Sequence, residues 1–176
     1  FGGSGTEEVG DAIATPDGGY LLVGTSDSNA TGEKSQASRG GMDFWAVKVD
    51  MSGNKIWDKR FGGSGEDLGH SVVAAGDGGY LLAGSSDSPA DGDKSEESRG
   101  QEDIWIVKID QNGSKIWDKR YGGNVQDICN KIIQVNENGF LLVGTSRSIA
   151  GGDKSQNRRN YSEDFWAVRI DTMGNK

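Results

Sequence analysis

One unit of about 60 residues, written three times, constrains this chain more than any other feature. Phe1-Gly2-Gly3-Ser4-Gly5 returns as Phe61-Gly62-Gly63-Ser64-Gly65 and, altered, as Tyr121-Gly122-Gly123-Asn124. Gly18-Gly19-Tyr20-Leu21-Leu22-Val23-Gly24 returns at Gly78 to Gly84 and at Asn138 to Gly144. Asp43-Phe44-Trp45-Ala46-Val47-Lys48-Val49-Asp50 returns at Asp103 to Asp110 and at Asp164 to Asp171. The first two copies agree at about 35 of 60 positions, and the third carries one extra residue between Gln156 and Glu163. The repeats are therefore 1–60, 61–120 and 121–176, and any fold must satisfy the same physics three times.

Each unit reads as short strands punctuated by turns. His70 to Ala75 is a small β-prone run that stops at Gly76-Asp77-Gly78-Gly79, a hairpin signal, and Tyr80 to Ser86 follows as its partner. Asp87 to Glu102 is a polar loop without apolar periodicity. Asp103 to Asp110 and Lys115 to Tyr121 are two further strands. Between them Asp110 suits the start of a type I turn and Gly113 the left-handed position that follows it. In the first copy the four strands fall at Val9 to Thr15 (a), Tyr20 to Ser26 (b), Asp43 to Asp50 (c) and Lys55 to Phe61 (d). Nothing reads as a helix, so the chain is expected to be all-β.

The faces of these strands select the architecture. Trp45, Val47 and Val49 lie on one face of their strand, and Phe44, Ala46 and the stem of Lys48 on the other. Tyr20 to Val23 is likewise apolar on both sides. A sheet with one wet face would alternate polar and apolar residues, whereas a sheet covered on both faces would not. Four antiparallel strands sandwiched between copies of themselves make a β-propeller-like blade. The third copy ends at Met173-Gly174-Asn175-Lys176, before its fourth strand, and three blades fall short of the 4–8 of closed propellers. The expectation is three four-stranded antiparallel blades, the last lacking its fourth strand. They would form a segment of a larger ring or array, with further copies of the repeat as partners in the same polypeptide or a homo-oligomer.

The unit also resembles known repeats. Asp77 to Tyr80, the loop motif Gly92-Asp93-Lys94-Ser95, the strand Asp103 to Lys108 and Gly113 to Trp117 are similar to the tandem repeats of large secreted Bacteroidetes proteins. More broadly, the strand order resembles WD-type and quinoprotein-type propeller blades. The resemblance implies an extracellular or outer-surface location and no assigned activity.

Composition narrows the function classes. Acidic residues outnumber basic ones 27 to 19, for a net charge of −8, which disfavours nucleic acid and anionic lipid as partners. The single Cys cannot form an internal disulfide, and no apolar run is long enough for membrane insertion as a helix. The 29 Gly are accounted for by the repeated turns.

The loops hold the candidate chemistry. Asp87, Asp91 and Asp93 are a candidate set of hard oxygen ligands for Ca²⁺. Arg147 and Gly151 replace the first two in the third copy, and a solvated loop with local ion pairs accounts for the same residues. Lys94 and Arg99 recur in every copy and suit either an anion or glycan site or the anchoring of the loop to backbone carbonyls. Tyr161, in the inserted stretch, is a candidate ligand contact. The five Trp fall on strands and are expected to pack between blades. The lone His70 is unrepeated, Cys129 stands where Val9 and Gly69 stand, and Gly2 to Gly5 lacks the Lys-Ser/Thr and helix of a phosphate loop, so no catalytic residue is assigned.

Near-identical copies favour a non-enzymatic secreted or cell-surface module acting in adhesion, assembly or ligand binding, glycans included. The alternatives are the propeller portion of a secreted enzyme with catalytic residues elsewhere, or a repeat unit of an extracellular filament.

Overall fold

The computed structural model describes residues 1–176 apart from Asn138, with the backbone alone at Asn136. The third copy of the Gly-Gly-Tyr turn, expected at Asn138, therefore lies outside the described residues. Among those residues the chain is all-β, with eleven strands and no helix. The first sheet contains β1 (Glu7–Ala14), β2 (Tyr20–Ser26), β3 (Asp43–Val49) and β4 (Lys55–Phe61). The second contains β5 (Asp67–Ala74), β6 (Tyr80–Ser86), β7 (Asp103–Ile109) and β8 (Lys115–Tyr121). The third contains β9 (Asp127–Asn136), β10 (Gly139–Ser146) and β11 (Asp164–Asp171). Strand order follows chain order in every sheet and all pairings are antiparallel, so these are propeller-like blades of four, four and three strands.

The a strands begin earlier than their apolar pattern predicts, at Glu7 and Asp67 rather than Val9 and His70. A β-bulge is the reason. Gly69 pairs with Gly84 and Ser71 with Ala83, which leaves His70 unpaired, and Gly10 is skipped likewise in β1. The extra residue shifts the side-chain alternation by one, so the two halves of the strand follow different phases. The glycine of Leu-Leu-Val-Gly and Leu-Leu-Ala-Gly sits beside this bulge, and a Cβ at Gly84 would overlap the Leu68 carbonyl. Gly113 closes the tight β7–β8 connection at φ 80°, as its sequence position predicts.

Blades pack face to face. Leu21, Val23, Phe44 and Ala46 of the first meet Tyr80, Leu82, Trp105 and Val107 of the second, with Phe44 and Trp105 rings 4.9 Å apart. Leu81, Ala83, Ile104 and Ile106 on the other side of the second blade meet Cys129, Phe140, Leu142 and Val168 of the third. β5 touches β1 and β2, and β9 touches β5 and β6, so contact between blades concentrates on the a strands. Trp105 is fully buried between blades, and Trp57, Trp117 and Trp166 pack against these clusters. Trp45 instead belongs to the outer face of the first blade with Leu22, Val47 and Val49.

Candidate functional site

The d–a and b–c connections of each blade lie together, as a propeller places them, and side chains of the second stitch the backbone of the first. In the second blade Asp87 Oδ1 accepts the Glu66 N–H at 2.6 Å, Asp91 Oδ1 the Ser64 N–H at 3.0 Å, and Asp93 Oδ2 the Gly62 N–H at 3.3 Å. The three candidate metal ligands are therefore engaged one by one along a backbone segment. Among the described residues no group of three or more His, Cys, Asp or Glu side chains is arranged to hold a metal ion.

Arg99 and Lys94 have separate structural engagements. Arg99 Nη1 donates to the Gly122 carbonyl at 3.2 Å and to Asp153 Oδ2 at 2.5 Å, both in the third repeat. Arg39 does the same one repeat earlier, to the Gly62 carbonyl at 2.9 Å and Asp93 at 2.7 Å. Lys94 is 3% exposed and its ammonium donates to the Ser88 carbonyl at 2.7 Å and to Ser98 Oγ. Burial pushes its pKa down, against the nearby Asp67 and Asp103 carboxylates. Lys34 and Lys154 hold Ser28 and Ser148 carbonyls in the same way, at 3.0 and 2.8 Å. A compact ammonium with three donors can tie the ends of a predominantly polar loop.

Beneath this layer, carboxylates converge at each junction. Asp43 opens the c strand of the first blade, Asp67 opens the a strand of the second, and both are fully buried beside Arg60. One oxygen of each, and Arg60 Nε, lack a hydrogen-bond partner among the described residues. Burial pushes the Asp43 carboxyl up to about 6, with the Asp67 charge adding to it and the Arg39 N–H and Arg60 opposing. Asp103, Asp127 and Arg120 repeat the arrangement at the second junction, where burial again raises the Asp103 carboxyl.

Sequence reasoning passed over Asp58 and Asp118. The Asp58 carboxylate is buried and accepts the Trp45 Nε1–H at 3.1 Å and the Ser35 N–H at 2.8 Å, and Lys55 donates to its other oxygen at 2.9 Å. Asp118 does the same with Trp105 at 3.0 Å, Ser95 at 2.8 Å and Lys115 at 2.7 Å. The available signal was an Asp repeated at the centre of a strand, a position that carboxylates avoid unless partnered.

Tyr161 projects almost wholly into solvent at 94% exposure, with the Arg158 guanidinium 5.7 Å from its ring centroid. Asn160 beside it adopts φ 57°, a conformation consistent with a loop around the inserted residue. His70, on its bulge, hydrogen-bonds through Nδ1 to the Cys129 carbonyl at 2.8 Å and so bridges two blades. Cys129 is buried, and that burial pushes its thiol up to about 12.

No family model matches the chain. Over 132 residues, 71% of its length, it is 26% identical to "Regulatory protein FlaEY" of Caulobacter vibrioides. The match spans 14% of that protein. Among the described residues no helix is long and apolar enough to cross a membrane.

Proposed function

We propose that this chain is a non-enzymatic repeat module of a secreted or cell-surface protein, acting in assembly and adhesion. One observation carries the reading. Polar side chains recurring across the repeats (Lys34, Lys94 and Lys154, Arg39 and Arg99, Asp58 and Asp118) are spent on backbone and neighbouring side chains of the repeats themselves. They hold blades and loops rigid and do not converge on a shared pocket. An active site, by contrast, requires a few polar groups aimed at one concave space. The extracellular location rests on the likeness to tandem repeats of secreted Bacteroidetes proteins.

The test uses intact cells that produce the full protein. Antibody against the chain is expected to label them without permeabilisation, and beads coated with the chain to be retained on their surface. Labelling only after permeabilisation, or no retention above that of albumin-coated beads, overturns the proposal.

A further inference from the structure

On the face opposite the d–a and b–c loops, a groove of about 440 Å³ lies between the first two blades, the size of a small-molecule site. Ile56 and Trp57 of the first blade and Tyr80, Gln111 and Asn112 of the second are among its lining residues. Gly113 packs so closely on Trp57 that a Cβ there would lie 3.1 Å from the six-membered ring of the indole, which sets the Asn112–Gly113 turn against that ring. A second hollow of about 220 Å³ continues past the same two amides to Ile116 and Asp77. Ile56 and Ile116 are 55% and 56% exposed, so the track offers aliphatic surface along its length.

The polar groups of this groove are not spent on the repeats. Among the described residues the side-chain amides of Gln111 and Asn112 and the Tyr80 hydroxyl have no hydrogen-bond partner, while the Asn112 backbone N–H goes to Asp110 Oδ1 at 2.8 Å. Burial of Tyr80, with the Asp17 charge adding to it, raises the phenol and keeps it a proton donor at neutral pH. At the next junction the corresponding positions carry Phe140, Thr172 and Met173, although Ile116 and Trp117 keep the apolar part. The repeat unit itself therefore does not require this polar set.

Charge and backbone narrow the occupant. Lys48 Nζ donates to both Asp17 oxygens at the groove, at 2.9 and 2.8 Å. That pairing leaves no net charge to draw an ion and no free carboxylate for acid–base catalysis. The walls are closed turns in which the Gly18, Gly78 and Gly113 N–H groups are already bonded, so no strand edge is offered to a peptide.

We propose that this groove binds a neutral oligosaccharide, an inference that rests on the adhesion role proposed above and gives it a site. A pyranose presents an apolar C–H face inside a rim of hydroxyls. The C–H face packs on Trp57 and Ile56, and the hydroxyls meet amides and a phenol that can each donate and accept. The second hollow takes a further sugar unit against Ile116.

An array of immobilised neutral, sialylated and uronic-acid oligosaccharides, probed with the fluorescently labelled 176-residue chain, tests this. Retention on at least one neutral oligosaccharide is expected. Affinity for it by titration calorimetry should fall about three- to tenfold in Tyr80→Phe and in Asn112→Met, each the loss of one hydrogen bond. Both substitutions introduce a residue that the third repeat already carries at that position, and unchanged far-UV circular dichroism checks that the fold survives. In NMR spectra of the wild type, the indole resonance that disappears in Trp57→Phe should be among those the oligosaccharide shifts. Retention on no oligosaccharide or on anionic ones alone, equal affinity in both variants, or an unmoved Trp57 resonance overturns the inference. Labelling of intact cells does not depend on the groove, so surface exposure with a silent array refutes this site alone.

Discussion

Arg39 of the first repeat and Asp93 of the second, 54 residues apart in sequence, meet at 2.7 Å, and Arg99 and Asp153 repeat the pair one blade on at 2.5 Å. In both cases the same guanidinium nitrogen also caps the carbonyl of the glycine that begins the d–a connection. A side chain from one blade thus ties the d–a connection to the loop of the next. Arg39 and Asp93 remain 39% and 25% exposed, which limits the energy each pair contributes. Arg39→Ala is expected to cost about 0.5–1 kcal/mol in urea unfolding, and Asp93→Ala about 1, since the latter also strands the Gly62 N–H. A double-mutant cycle should return a coupling of about 0.5 kcal/mol, and additive costs would show that the pair contributes nothing.

Asp58 should be far more sensitive. It is buried, and Asp58→Ala would leave the Trp45 indole and the Ser35 amide without an acceptor. The expected loss is about 2–3 kcal/mol, with Asp58→Asn, which keeps one acceptor oxygen, costing roughly half as much. Equal stabilities of the wild type and the Ala variant by chemical denaturation would contradict this role.

The junction carboxylates give stability an acid-side gain. Asp43 has a raised folded value, about 6 against an ordinary 3.8. Its contribution is therefore fully present below 3.8 and is lost as pH rises through about 6. Asp67 and Asp103 shift in the same direction, by burial. Asp17, Asp50 and Asp118 are held below the usual range and work the other way, but only as pH falls beneath 3.8. Thermal midpoints should rise from pH 7.5 to about 5. Asp43→Asn should raise the midpoint at pH 7.5 and flatten that slope, by an effect on the order of 1–3 kcal/mol. A slope unchanged in Asp43→Asn would contradict the assignment.

The glycine at the bulge has no room for a methyl group. Gly84→Ala places a Cβ on the Leu68 carbonyl, a backbone atom that cannot rotate away. A loss of at least about 2 kcal/mol is expected by calorimetry, whereas Gly76→Ala, with open space around it, should be within about 0.5.

Cys129 should be inert while the fold is intact. Its thiol is fully buried and pushed up to about 12 by that burial, so thiolate is scarce at neutral pH. Labelling by a thiol reagent should proceed at the unfolding rate and accelerate with urea in step with the loss of tryptophan signal. Rapid stoichiometric labelling in buffer would refute the buried placement.

Where the sequence was legible, the interaction was local or repeated. β2, β4 and β8 begin and end as the pattern of Tyr20 to Ser26, Lys55 to Phe61 and Lys115 to Tyr121 predicts, because Asp-Gly and Gly-Asn turns punctuate them. β1 and β5 start earlier than their apolar pattern predicts because the bulge at Gly10 and His70 breaks the alternation. Asp87, Asp91 and Asp93 fit either a cation site or a hydrogen-bonded loop, because a carboxylate looks alike in sequence whether it faces an ion or an N–H group.

The sequence by itself determined the threefold unit, the absence of helix and the apolar character of both strand faces, since composition and spacing over a few residues carry each of these. Only the tertiary structure decided what the repeated charges do. Arg39 reaches across 54 residues to Asp93, and Asp58 across 23 to Ser35. Such outcomes depend on which blade face meets which neighbour, a long-range geometry that the local pattern of one repeat does not display.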